Sequence, residues 1–316
     1  MIGAGKKREK AAGGMWGLLV ADAIGVPYEF HDPSEIPALE QLEMSPPAGF
    51  RRSYPHVPPG TWSDDGAHAL ALLDSLLSTG EMDPEDLVER IAGWYERGDY
   101  AVDGLVFDVG LQTSRAIRAY RSGTPATEAG SVDLEAKGNG ALMRVLPLAL
   151  WHEGTDEELV SDAHLQALVT HGHPTNQVCS ALYSLWARRL LNGMEDAEEA
   201  WFSAVEALRG LYPEDSVYRE ELEYAIRPDE DIEPDGSGYV VNGLRAARWA
   251  LRQGSYEEVV KYAISLGDDT DTNAAIAGGL AGIRDGIGAV PENWLSALRG
   301  KELAHPLIER LLERYQ

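Results

Sequence analysis

The chain has 316 residues, 44% of them hydrophobic, so it is long enough to bury a sizeable core. Lys and Arg number 27 against 52 Asp and Glu, and the resulting net charge of −25 argues against a groove that follows nucleic-acid phosphates. The single cysteine, Cys179, excludes a disulfide framework and a thiolate zinc site. It lies on an apolar helical face, so we expect it to pack in the core rather than act as a nucleophile.

The N-terminus resembles a signal peptide only superficially. "GKKREK" precedes "AAGGMWGLLVADAIG", but the apolar part is short and Asp22 interrupts it. Nothing later resembles the roughly 20 uninterrupted apolar residues of a membrane span. We expect a soluble, monomeric protein of the cytoplasm without membrane contact, in which residues 1–12 form a flexible tail.

Apolar residues recur at three- and four-residue steps through most of the chain, as in "AHALALLDSLL" (67–77). Strand-like alternation is nearly absent, so the pattern predicts an all-α protein. Segments rich in Gly and Pro separate the helices without a change of composition, which predicts a single compact domain over residues 1–316. The predicted helices cover approximately residues 14–24, 67–77, 85–96, 108–121, 140–151, 156–168, 176–191, 197–210, 218–226, 241–253, 256–265, 273–286, 291–299 and 302–314.

The first predicted helix carries acidic residues within an apolar sequence, "GGMWGLLVADAIGVPYEF" (13–30). Asp22 is expected to be buried and hydrogen-bonded inside the helix. Glu29 follows the helix break at Pro27, so it can reach into a site. Glu29 is therefore the better catalytic candidate of the two.

A second acidic group opens the next helix, "GTWSDDGAHALALLDSLL" (60–77). Ser63, Asp64 and Asp65 precede a strongly apolar run, and such residues are favoured at helix N-termini. A hydroxyl and two carboxylates at one helix start also provide oxygen ligands for Mg²⁺, Mn²⁺ or Ca²⁺. Capping and metal binding both remain open for this group when it is considered alone.

Two central motifs give weaker signals by themselves. Gly-Asn-Gly at 138–140 precedes an apolar run, where backbone N–H groups can face an anion, although a turn is the usual role of such a sequence. In "THGHPTNQ" (170–177), His171 and His173 are candidate ligands, ring-stacking partners or loop residues.

The last acidic group lies in "LGDDTDTNAAIAGGLAGI" (266–283). Asp268, Asp269 and Asp271 exceed the need of a single cap, and carboxylates a few ångströms apart repel unless a proton or a cation lies between them. Because the group at 63–65 has the same design, we expect the two groups to meet. Together they would hold two divalent ions, which orient substrate oxygens and activate a water.

In their order along the chain, these segments resemble the ADP-ribosylglycohydrolase family, which includes the dinitrogenase-reductase-activating glycohydrolase and the ADP-ribosyl-hydrolases. The family order is a Gly-Asp-Ala-x-Gly-x-Pro-x-Glu-like start, Thr/Ser-Asp-Asp, Gly-Asn-Gly-Ala-x-Met-Arg, Thr-His, and Gly-x-Asp-x-Asp-Thr. This sequence has "ADAIGVPYEF", "TWSDDG", "GNGALMR", "TH" and "GDDTDTNAAIAGGLAGI" in that order. The resemblance extends from about Gly13 to Trp294.

The resemblance implies an orthogonal all-α bundle that binds two Mg²⁺ or Mn²⁺ ions in a cleft, with ADP-ribose lying across it. It implies a metal-dependent hydrolase that cleaves the C1 glycosidic bond and so removes ADP-ribose from modified proteins, with ADP-ribosylated protein as its partner. Carried over by position, the implied metal ligands are Ser63, Asp64, Asp65, Asp269, Asp271 and Thr272; the catalytic residues are Glu29, Asp64 and Asp269; and the substrate-binding residues are Gly138, Asn139, Gly140, His171, Asp108, Gly110 and Thr113.

This sequence departs from the family pattern at three positions. Gly66 replaces a hydroxyl residue, Ala21 replaces a glycine, and Asp268 replaces a frequent glycine. None of these changes removes an implied ligand, so we expect activity. We also expect a preference for arginine-linked ADP-ribose, which the resemblance implies in part. An acidic cleft rim, including some of residues 228–238, would also favour a cationic guanidinium leaving group.

Two other functions remain as alternatives. A catalytically silent module could keep the same residues. It would bind either ADP-ribose or an immunity-type partner protein. An HD-type metal phosphohydrolase is suggested by His31 and Asp32, but that pair precedes Pro33 in a predicted loop and the other oxygen clusters lack histidines.

Overall fold

The computed structural model describes residues 2–315, and α-helices, numbered here in chain order, account for most of them. Six short 3₁₀ segments and a π-helix, Glu221–Ile226, connect or extend these helices. Within residues 2–315 the only β pairing is an isolated bridge between Gly138 and Tyr239. The helices are α1 Ala4–Gly25, α2 Asp64–Thr79, α3 Pro84–Arg97, α4 Leu111–Arg121, α5 Ala126–Ala129, α6 Leu146–Trp151, α7 Asp156–Leu168, α8 Pro174–Leu191, α9 Ala197–Leu211, α10 Val217–Glu220, α11 Val240–Leu251, α12 Tyr256–Ser265, α13 Thr270–Asp285, α14 Glu292–Ala297 and α15 Lys301–Leu312.

Local sequence signals fix most helix ends. The Ser63 side chain caps α2, and Asp83 caps α3 by accepting hydrogen bonds from two backbone N–H groups. Thr155 forms a capping box with Glu158 at the start of α7. The predicted all-α class is confirmed. It could be predicted because signals of this kind are short-range properties of the sequence.

Helices α1 and α13 pack along each other at the centre of the fold, and α11 and α12 cover α13 from outside. The contact is close because both helices present glycines. A Cβ atom on Gly282 would lie 2.0 Å from the carbonyl oxygen of Gly13. The N-terminus of α13 therefore comes to rest beside the C-terminus of α1, where Thr270 Oγ1 donates to the Gly25 carbonyl over 2.9 Å.

The predicted flexible tail over residues 1–12 is wrong for residues 4–12, which are the first turns of α1. Ala11 is fully buried, and Lys10 Nζ donates to the carbonyls of Ile283 and Arg284 at the end of α13. A cationic side chain thus satisfies carbonyls that have no partner within their own helix. Met1 lies outside the described residues.

Two predicted helices are shorter than expected. The segment predicted to be helical from 140 forms turns up to Val145, and α6 begins at Leu146 with Pro147 in its first turn, a position that suits proline. The segment predicted from 108 becomes helical at Leu111, because Asp108 has a left-handed backbone with φ of 50°. Both shortened helices leave irregular chain next to the site described below.

No helix within residues 2–315 combines the length and the apolar character that crossing a membrane would need.

Candidate active site

The N-terminus of α2 presents Ser63, Asp64 and Asp65 to the interior, and all three are buried. Asp22, from α1, accepts hydrogen bonds from the backbone N–H groups of Ser63 (2.9 Å) and Gly66 (2.8 Å). Asp22 is thus the buried, hydrogen-bonded residue that the sequence suggested. It anchors the start of α2 against α1.

The N-terminus of α13 lies opposite. The Thr272 hydroxyl donates to Asp65 Oδ2 over 3.2 Å and so joins the two helix starts. The Asp271 side chain accepts from the backbone N–H of Thr272 at 2.8 Å. Asn139 Nδ2 donates to Asp269 Oδ2 over 2.8 Å and brings the Gly-Asn-Gly segment to the same place. The two acidic groups that are remote in the sequence are therefore adjacent in the structure.

Glu29 and Asp108 complete the acidic cluster. Carboxylate oxygens of Glu29, Asp108 and Asp271 all lie within 4.8 Å of one another. The Tyr54 hydroxyl donates to Asp108 Oδ1 over 2.8 Å. The sequence placed Asp108 among the substrate-binding residues, whereas its position here is among the candidate metal ligands.

Burial raises the pKa of every carboxyl in this cluster. The pKa of Glu29 rises to about 11, first through burial and then through the charges of Asp108 and Asp269. Burial raises the pKa of Asp269 to about 6, although hydrogen bonds from Thr272 and Asn139 act against the rise. Burial and the neighbouring carboxylates also raise the pKa values of Asp64, Asp65 and Asp271 well above the usual range. The cluster thus requires protons or cations to offset its charge.

Three carboxylate oxygens of this cluster are free to coordinate a cation. Glu29 Oε2, Asp65 Oδ1 and Asp271 Oδ2 are buried and have no hydrogen-bond partner within residues 2–315. A buried unpartnered carboxylate oxygen is costly unless a cation balances it. Because the donors are carboxylates and hydroxyls, the cluster fits a hard divalent cation such as Mg²⁺ or Mn²⁺.

A cavity of about 560 Å³ opens above this cluster. Glu29, Asp64, Asp269 and Thr272 line its acidic end. The residues predicted to bind substrate line the rest of its wall: Asp108, Gly110, Thr113, Gly138, Asn139, Gly140 and His171. The structure therefore gathers all the predicted substrate-binding residues around one space.

The Gly-Asn-Gly segment is held by backbone pairing and by a close ring contact. The Asn139 N–H donates to the Gly238 carbonyl over 3.1 Å, and Gln112 Oε1 accepts from the Gly138 N–H over 2.8 Å. A Cβ atom on Gly140 would lie 2.6 Å from His171 Cε1, so a side chain there would displace the imidazole. Gly140 thus permits the His171 ring to lie against the backbone.

The other residues considered from sequence lie apart from the cavity lining. His173 caps α8 by accepting from the Thr175 N–H. Cys179 is fully buried on α8, and burial raises the pKa of its thiol. Both observations agree with packing in the core. Asp32 caps the 3₁₀ segment Pro33–Glu35 and is exposed, so the His31–Asp32 pair does not form an HD-type centre.

The predicted acidic rim over residues 228–238 is wrong, because no acidic residue of this segment lines the cavity. Gly238 lines the cavity, but Asp229 and Asp231 form ion pairs with Arg209 and Arg252. The exposed acids that line the cavity are Asp133, Glu135 and Asp268.

Tyr54 and Gln112 are site residues that the sequence does not indicate. Tyr54 lies in an irregular Pro-rich loop, and Gln112 lies in the first turn of α4 without a motif around it. Neither position has a local signal that could have indicated its role.

The chain matches the ADP-ribosylglycohydrolase family over residues 4–316. The chain belongs to this family. The predicted resemblance is confirmed, and so is the prediction of an enzyme that hydrolyses glycosidic bonds.

Named relatives of this ADP-ribosylglycohydrolase cover nearly all of the chain. It is 30% identical over 306 residues to the ADP-ribosylarginine hydrolase Tri1 of Serratia proteamaculans, covering 96% of this chain and 79% of that protein. It is 29% identical to the ADP-ribosyl-dinitrogen reductase glycohydrolase of Rhodospirillum rubrum, covering 92% and 90% of the two chains. A solved structure described as an ADP-ribosylglycohydrolase-related protein complex has 31% identity and a TM-score of 0.79, covering 98% of this chain and 99% of that one.

Proposed function

We propose that this protein removes ADP-ribose from modified arginine side chains of proteins by hydrolysing the bond between C1 of the distal ribose and the guanidinium nitrogen. The observation that carries the proposal is that two acidic helix starts and Glu29 meet at one end of a cavity lined by the Gly-Asn-Gly segment and His171. The relatives named for ADP-ribosylarginine and dinitrogen reductase support the choice of substrate.

Two divalent ions, Mg²⁺ or Mn²⁺, are part of the proposal. The ligands would be Ser63, Asp64, Asp65, Asp269, Asp271 and Thr272. We add Asp108, because one of its carboxylate oxygens lies within 4.8 Å of an oxygen of Glu29 and of Asp271. A bound divalent ion supplies a Lewis acid that fixes ribose hydroxyls and stabilises negative charge. The unpartnered buried oxygens of Asp65 and Asp271 support this assignment.

We propose that Glu29 transfers a proton at the reaction centre, from the water that attacks C1 or to the guanidine nitrogen that leaves it. It lines the acidic end of the cavity, and its Oε2 atom has no protein partner among the described residues. Burial favours the neutral form of a carboxyl, so Glu29 readily holds a proton until a cation or the leaving group changes its surroundings. Asp108 is held in place by Tyr54 on the side of the same cluster.

The charge at the cavity mouth supports an arginine leaving group. Asp133, Glu135 and Asp268 are exposed acids on the cavity wall, where Arg115 is the exposed base. Such a mouth attracts a guanidinium and the basic residues around a modified arginine, and it repels a polyanion such as poly-ADP-ribose.

The test is a comparison of hydrolysis rates with arginine-linked, serine-linked and polymeric ADP-ribose, each with Mg²⁺ and with chelator. We expect metal-dependent release of ADP-ribose that is fastest from the arginine-linked protein. A preference for either other substrate would reject the arginine assignment alone. Binding of ADP-ribose without turnover of any substrate would favour the catalytically silent module instead.

A further inference from the structure

His171 lines the cavity, and its ring is held in place by hydrogen bonds from buried side chains. Its Nδ1 atom lies 2.7 Å from the hydroxyl oxygen of Thr170. The same hydroxyl oxygen accepts a hydrogen bond of 2.8 Å from Nη1 of Arg144. Arg144 and Thr170 are fully buried.

The direction of each hydrogen bond in the series Arg144–Thr170–His171 follows from counting protons. An arginine side chain only donates, so Thr170 Oγ1 accepts from Arg144. The Thr170 hydroxyl has one proton to give. Among the described residues, its recorded partners are Arg144 and His171, so Nδ1 of His171 is the acceptor that this proton can reach.

The opposite arrangement would leave a buried proton without an acceptor. If Nδ1 carried the hydrogen, Thr170 Oγ1 would accept twice and its own proton would point at no partner. An unsatisfied buried donor costs on the order of 1–3 kcal/mol, which is enough to select one tautomer. Burial, reinforced by the charge of Arg144, also lowers the pKa of His171 to about 3, so the ring is neutral at ordinary pH.

We infer that Thr170, held by Arg144, is a positioning residue that fixes His171 as the neutral tautomer with its hydrogen on Nε2. That nitrogen lies on the side of Gly138 and Gly140, both of which line the cavity. His171 therefore presents a hydrogen-bond donor, and an acceptor oxygen of the ligand is the group it fits. The identification of that ligand as ADP-ribose rests on the proposed function.

Arg144 is itself fixed by partners that do not touch the cavity. Its Nε donates to Gln166 Oε1 over 3.0 Å and its Nη2 to the Gln166 carbonyl over 2.7 Å. Gln166 Nε2 in turn donates to the Ala141 carbonyl over 3.1 Å, next to Gly140. One network thus holds both the ring and the backbone against which the ring packs.

The first test reads the tautomer directly by long-range proton–nitrogen NMR of the ¹⁵N-labelled full chain, with H171N identifying the signal. We expect an Nε2 shift typical of a protonated nitrogen and an Nδ1 shift typical of an unprotonated one. An Nδ1–H tautomer or an imidazolium at neutral pH would overturn the inference. This spectrum needs no ligand, so it is independent of the proposed function.

The second test replaces the hydroxyl. T170V keeps the shape but removes the proton, and we expect its His171 spectrum to show a mixture of tautomers. T170S retains a hydroxyl and should restore the single tautomer. His164, whose Nε2 lies 2.7 Å from the Tyr212 hydroxyl, is an internal control whose shifts should not change. If T170V does not fold, the wild-type and T170S spectra still decide, because the wrong tautomer in either overturns the inference.

The third test measures whether the tautomer of His171 affects the binding of ADP-ribose in the cavity. With Mg²⁺ present, we expect T170V to bind ADP-ribose about fivefold more weakly, which is the scale of one hydrogen bond, and to raise KM more than it lowers kcat. T170S should bind within about twofold of the wild type, a difference well below that scale. Equal binding by folded T170V and T170S would overturn the role in ligand binding. Failure of the wild type to bind ADP-ribose would instead count against the proposed function.

Discussion

Metal removal should make the stability of this protein depend on pH, and the sign follows from the buried carboxyls. The pKa of Asp269 is about 6 in the folded chain, against a usual value of 3.8. Between these values the folded state holds a proton that the unfolded state has released. The free energy of unfolding therefore falls as pH rises through this window when no metal is bound. A bound cation removes the fall, because it favours the ionised carboxylate in the folded state.

The size of the effect can be set from the same group. A shift of about two pKa units corresponds to about 3 kcal/mol. For a chain of this length, 1 kcal/mol changes Tm by about 2 °C, so Asp269 alone should lower Tm by about 6 °C once the pH passes its folded pKa. Asp64, Asp65 and Asp271 shift in the same direction, so the loss continues at higher pH.

The assay is thermal unfolding at pH 5 and pH 8 of two samples, one loaded with Mg²⁺ or Mn²⁺ and one chelated with its metal content measured. Between pH 5 and the folded pKa of about 6, Asp269 still loses about 1.4 kcal/mol, so we expect the gap in Tm between the samples to be at least about 3 °C larger at pH 8 than at pH 5. D269N should reduce the pH dependence of the chelated sample. Glu214 is an exposed acid on another surface, so E214Q is the matched control and should change little. Parallel pH curves for loaded and metal-free protein would refute the reasoning.

Three substitutions test the site further. E29Q should keep the fold and ADP-ribose binding while lowering kcat at least about a hundredfold, the usual scale of a lost proton-transfer group; a near-normal rate would remove Glu29 from the mechanism. C179S should preserve kcat and cost about 1 kcal/mol of stability, because it places a hydroxyl in an apolar core, so loss of turnover in a folded protein would revive a thiol mechanism. G140A should displace the His171 ring and weaken ADP-ribose binding with little change in metal affinity by calorimetry; unchanged ADP-ribose binding would contradict the close contact.

The parts of the site that could be predicted from the sequence are those with a local signal. Ser63, Asp64 and Asp65 are conspicuous because acidic residues in excess of a cap precede an apolar helix, and the group at 268–271 has the same form. The order of the motifs then supplied their family resemblance. The helices could be predicted for the same reason, since apolar periodicity and caps are short-range properties.

The parts that could not be predicted depend on chain geometry over long distances. Asp108 joins the acidic cluster because its backbone is left-handed and the helix starts only at Leu111. Tyr54 reaches it from a loop that has no periodicity. The order of residues 4–12 could not be predicted either, because the carbonyl partners of Lys10 lie on α13, at the other end of the sequence.

The two helix N-termini at this site position the carboxylates but do not neutralise them. Each terminus carries roughly half a positive charge, so α2 and α13 together supply about one. The terminus of α2 already donates two of its backbone N–H groups to Asp22, which lies behind the cluster. Six carboxyl groups remain to be balanced, namely Glu29, Asp64, Asp65, Asp108, Asp269 and Asp271. Protons can supply the missing charge only by converting these groups to neutral acids, which are poor ligands. The two divalent ions that we propose would supply four charges and leave the carboxylates ionised. Protons and a bound metal would therefore compete for the same oxygens, and we predict that metal binding strengthens over the pH range in which the metal-free protein loses stability.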